Sequence, residues 1–143
     1  MTTRLVRSVL ALAFALAYTG PAVGQIPPGD LGLGNKLGVQ EMNNSGEAGE
    51  VTLFRRGNNA TLVVLNLQGA PHRAQPVAIH RARGCDSTIQ PAPVYRLNNL
   101  VNGHSATLLK VPMAKLLSGN YSVLVGSHPG NPNHYVSCGY LYT

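Results

Sequence analysis

The chain has 143 residues and a formal charge of +6, with eleven Lys and Arg against five Asp and Glu. That length suits one domain, and so few acids nearly exclude catalysis by a carboxylate pair. The basic residues are spread along the chain with no basic helix and no aromatic stacking run, so composition indicates a solvated basic surface, not specific nucleic-acid binding.

The first 24 residues read as a secretory signal peptide. Arg4 and Arg7 precede the nine apolar residues from Val9 to Ala17, and Ala22-Val23-Gly24 forms a small-x-small cleavage site. Nine apolar residues are too few for a membrane span, which needs about 20 helical residues. Cleavage is expected between Gly24 and Gln25, which gives an exported, periplasmic or extracellular protein. The signal takes two basic residues with it, leaving nine basic against five acidic residues and a mature charge of +4. The remaining 119 residues are enough for a core that buries on the order of 65% of the unfolded surface.

Residues 25–49 read as a flexible N-terminal segment. Ile26-Pro-Pro-Gly-Asp30, Leu31-Gly-Leu-Gly34 and Asn43-Asn-Ser-Gly46 are dense in residues that break regular structure. Within it, only the alternation of Leu37 and Val39 suggests a short strand.

From residue 50 the pattern becomes that of β structure, and residues 50–143 form the expected domain. Strands are expected over 51–55 and 61–67, joined as a hairpin by the Gly57-Asn58-Asn59 turn. Further strands follow over 76–80, 94–97, 106–111, 121–125 and 135–142. Pro112 ahead of it and Ser118-Gly119 behind limit 113–117 to one helical turn. Short strands with frequent turns indicate an antiparallel sandwich or barrel.

Cys85 and Cys138 are the only cysteines. An even count behind an export signal favours a disulfide over a metal site or a catalytic thiol. Closing that separation is worth roughly 4 kcal/mol in the chain-entropy model.

Three segments, in order, resemble the copper/zinc superoxide dismutase superfamily. Ala78-Ile79-His80 followed by Cys85 is similar to that family's His-x-His strand and disulfide loop. Val136-Ser-Cys138-Gly-Tyr-Leu141 is similar to its C-terminal Cys-Gly strand. Val111-Pro112, Leu116-Leu117, Gly119 and Tyr121 resemble the Val-Pro-x-x-x-Leu-Leu-x-Gly-x-Tyr pattern of short exported bacterial relatives. The resemblance covers about residues 50–142. It implies an all-β, antiparallel Greek-key β-sandwich of seven or eight strands with Cys85–Cys138 as its disulfide.

The catalytic residues implied by the resemblance are absent. Ala78 and Gly126 stand at copper-binding histidine positions, and Tyr135 stands where a basic residue would guide superoxide. No histidine lies between Cys85 and Val101, so the family's zinc loop has no counterpart. The expectation is a domain without dismutase activity, without catalytic residues and without a cofactor. Its role would be structural or interaction-based, toward a protein or an envelope partner, with residues 98–105 and 127–134 as contact loops.

Two alternatives stand beside it. His80, His128 and His134 could form an open copper or zinc site if the fold gathers them. A chordin-repeat-like module is the other, since Leu116-Leu-Ser-Gly-Asn-Tyr121 also resembles the last strand pair of that domain; a Cys85–Cys138 bond argues against it.

Overall fold

Alternating side chains along two adjacent strands generate one side of the core. The computed structural model describes residues 32–81, 85 and 92–143, so residues 1–24, expected to be a signal peptide, and residues 25–31 lie outside the described residues. Strand β2 (Ala48–Arg56) turns through Gly57-Asn58-Asn59 into β3 (Ala60–Gln68), and the two pair along their full length. Val51, Leu53, Val63 and Leu65 all point inward with no solvent exposure, as period-two patterning requires.

Strands β4 (Val77–His80), β5 (Pro93–Arg96) and β6 (His104–Leu109) follow, then the single helical turn α1 (Met113–Leu116), and finally β7 (Ser122–His128) and β8 (Asn131–Tyr140). With β1 (Asn35–Glu41) they form one antiparallel, eight-stranded curled sheet in the order β5-β4-β7-β8-β1-β2-β3-β6. The fold is therefore nearly all β, antiparallel and closed by one disulfide, as the sequence indicates. Among the described residues no helix is long and apolar enough to cross a membrane.

Strand β1 lies inside the segment read as flexible. Asn35–Val39 pairs with β2 while Gln40 and Glu41 pair with β8, so this strand is the seam between the two halves of the sheet. Only Val39 of β1 is fully buried. The strand contains the Leu37 and Val39 alternation that suggests a strand in the sequence, and backbone ladders on both sides hold it. Strand structure is thus present before residue 50, and Asn43, Asn44 and Gly46 form a left-handed turn into β2.

Ile79, Val123 and Val125 of the second half close onto Leu53, Val63 and Leu65 of the first in one apolar cluster. Leu116 of α1 and Leu141 complete it. Residues 127–134, expected as a loop, are mostly strand: β7 and β8 continue to a tight turn at Pro129-Gly130, with register shifts near Gly126. His128 and His134 consequently sit on strands.

Candidate functional site

Strand β4 sends Val77 and Ile79 into the core, so Ala78 and His80 point to the opposite, outward face. Leu124 of β7 lies opposite Ala78 on one side and opposite Cys138 of β8 on the other. A register shift in β7 then sets Gly126 opposite Tyr135. The result is a cavity of about 100 Å³ on that face, with Ala78, His80, Arg96, Gly126, Asn133 and Tyr135 in its wall.

His80 is 3% exposed, and its ring meets that of Tyr135 edge-on at 5.8 Å between centroids. Burial pushes the Tyr135 phenol above its ordinary pKa. Gly126 is sterically fixed: a Cβ there would stand 2.6 Å from the backbone oxygen of Pro132 and 2.8 Å from Cγ of Pro76. A histidine at this position would require the backbone to move. One imidazole, one guanidinium at the rim, an amide and a phenol can hydrogen-bond a small polar molecule, but they offer few ligands to copper.

The structure thus gathers the positions singled out in the sequence, Ala78, His80, Gly126 and Tyr135, around one cavity. It does not bring His128 or His134 into that wall. His134 lies between Asn133 and Tyr135 on β8, and strand alternation turns it to the other side. Among the described residues no group of three His, Cys, Asp or Glu is close enough to hold a metal ion.

Cys85 and Cys138 are bonded, with Cα atoms 5.6 Å apart. The bond fastens the segment after β4 to the outward side of β8, where Cys138 is fully buried. The backbone N–H of Cys85 also donates to the Tyr140 hydroxyl at 3.0 Å.

The sequence did not reveal a buried polar knot next to this wall. Glu47, assigned to the flexible segment, is 5% exposed. Its carboxylate accepts from Nε2 of the fully buried Gln75 at 3.1 and 2.9 Å, and Ser137 Oγ donates to its backbone carbonyl at 2.6 Å. Ser45 Oγ accepts from the Glu47 N–H at 3.1 Å and donates to the Val136 carbonyl at 2.6 Å. Gln75 in turn exchanges both backbone hydrogen bonds with Leu100 and precedes Pro76 of the cavity wall. Ser45-x-Glu47 in a turn is the one local hint of such an anchored loop.

Two further histidines bind asparagines at the surface: His104 Nδ1 is 2.8 Å from Asn66 Oδ1, and His72 Nδ1 is 3.0 Å from Asn102 Oδ1.

Comparison with protein-family models, curated proteins and solved structures finds no match.

Proposed function

We propose that this chain is an exported, non-catalytic domain of the superoxide dismutase-like type. In this reading it folds as a Greek-key sandwich and serves a structural or interaction role at the envelope or outside the cell. The observation that carries the reading is the shared cavity. Positions named from three separate strands converge on one wall, yet supply a single imidazole, His80. Cycling copper between oxidation states calls for several imidazole ligands, and Gly126 leaves no room for a second one there. Arg96 at the rim and Tyr135 within the wall do not replace the missing ligands. The projecting tip of the β7–β8 hairpin, exposed from His128 to His134, is the surface offered to a protein or envelope partner.

The reading is tested with purified protein in two assays. Superoxide consumption after copper and zinc loading should equal that of free metal controls. Calorimetric titration with Cu(II) and Zn(II) should show no binding tighter than micromolar. Saturable dismutation, or sub-micromolar binding lost in His80→Ala, would overturn it in favour of a metal-handling protein.

A further inference from the structure

Glu50 of β2, Asn66 of β3 and His104 of β6 form one row across the sheet, each directly opposite the next. Directly opposed residues of an antiparallel ladder point to the same side. Val51 and Leu65, beside the row, are fully buried in the core, so the row itself faces outward. Gln68 stands two residues beyond Asn66 on the same side. Asn102, in the turn leading into β6, joins these four in the wall of an open groove of about 550 Å³.

The groove rests on rigid backbone. Asn102 and Gly103 both have positive φ, and Val101 and His104 exchange both hydrogen bonds around them, at 2.9 and 3.0 Å. That is a tight two-residue turn of type I′. The Gly103 carbonyl accepts from the Leu67 N–H at 2.8 Å, which docks the turn on β3. A Cβ on Gly103 would run into the Leu67 carbonyl oxygen, so this approach requires glycine.

The polar groups of the wall are oriented and largely open. Oδ1 of Asn66 and Oδ1 of Asn102 face Nδ1 of His104 and of His72, at 2.8 and 3.0 Å. An amide oxygen only accepts, so each Nδ1 carries the proton and the neutral ring keeps an acceptor at Nε2. Lys36 Nζ binds Oε1 of Glu50 at 3.1 Å. Glu50 Oε2, the Gln68 amide and Nδ2 of both asparagines have no partner among the described residues. Along the row the open groups therefore run acceptor, donor, acceptor: Glu50 Oε2, Asn66 Nδ2 and His104 Nε2.

We propose that this groove binds a neutral saccharide. The row covers two strand spacings, about 10 Å, with Gln68 and Asn102 adding further amides at its side. Each sugar hydroxyl both donates and accepts, so adjacent hydroxyls of one ring can pair with an amide and with the carboxylate or imidazole next to it. Other ligand classes fit less well. An anion would meet the Glu50 carboxylate, and the described wall holds no Arg or Lys. A metal ion would find no group of three ligands among the described residues. A protein would lack an aromatic or Arg anchor, since the wall's one apolar side chain, Leu67, is buried. The two histidines and the turn already hold the asparagines in place, so binding orders few further side chains.

The test is an NMR titration of isotope-labelled protein with neutral mono- and trisaccharides of glucose, galactose, mannose and N-acetylglucosamine. Concentrations reach about 10 mM, which fills about nine-tenths of a site whose Kd is near 1 mM. At least one sugar should shift the side-chain amide signals of Asn66, Gln68 and Asn102 saturably, with a Kd that added salt leaves unchanged. Gln68→Ala and His104→Ala should each raise that Kd about fivefold, the effect of one lost hydrogen bond. Gln68 is exposed and its side chain bonds nothing in the described fold, so its variant keeps the test sound if His104→Ala folds poorly. Absence of saturable shifts with every sugar overturns the proposal, as does a Kd that both variants leave unchanged. Equal shifts from inorganic phosphate overturn it too, by marking an anion site. The cavity beside His80 lies on the other half of the sheet, so this test and the metal titrations fail independently.

Discussion

The imidazole of His80 on β4 and the phenol of Tyr135 on β8 stand edge to face, with 83° between ring planes. The two strands are not neighbours: β7 lies between them in the sheet. The contact therefore spans the strand that carries Leu124 and Gly126, and the cavity forms beneath it.

Tyr135 makes stability fall at high pH. Burial raises its pKa in the folded protein, so the folded state holds its proton where the unfolded chain releases it. The contribution is intact below about pH 10, the unfolded value, and is lost as pH climbs through the higher folded value. Denaturant melts from pH 8 to 11 should show this decline, and Tyr135→Phe should flatten it.

Gly126→Ala should destabilise by about 1–3 kcal/mol, because its Cβ would run into the backbone of Pro132 and the wall is already packed. Gly38→Ala is the contrast. A Cβ there meets nothing within 4 Å, and the smaller unfolded-state entropy should stabilise by about 0.4–1 kcal/mol. Urea midpoints of the two variants should move in opposite directions.

Glu47→Ala removes the acceptor of Gln75 Nε2 inside the protein. A buried donor left without a partner costs about 1–3 kcal/mol. Glu47→Gln keeps the volume and one acceptor oxygen, so its loss should be smaller. Equal thermal stability of wild type and Glu47→Ala would show that the knot contributes nothing.

Removing the Cys85–Cys138 bond, by reduction or by replacing both residues with alanine, should cost about 2–4 kcal/mol. Denaturant melts with and without reductant measure it directly. Reduction should also free the segment around Cys85, seen as faster amide exchange at that residue, whose N–H is held by Tyr140.

Much of the fold is legible along the chain because its strands alternate. Val51 and Leu53, then Val63 and Leu65, repeat every second residue, and the Gly57-Asn58-Asn59 turn between them forces a hairpin. Two cysteines, an even count, likewise suggest one bond, and one bond is present. These are local signals, carried by side-chain spacing and turn chemistry.

What only the tertiary structure decided is how segments distant in sequence meet. The Leu37 and Val39 alternation hints at a strand, but Asn35–Glu41 becomes the seam of the sheet because β2 and β8 pair with it from either side. Glu47 is buried because Gln75, twenty-eight residues on, supplies a donor at close range. His80 faces Tyr135, while His128 and His134 stay out of the cavity wall, because strand parity and the register shifts near Gly126 set which side each residue occupies. Spacing in a sequence records which residues alternate. Register between strands, fixed by ladders and packing across the whole sheet, decides which of them share a site.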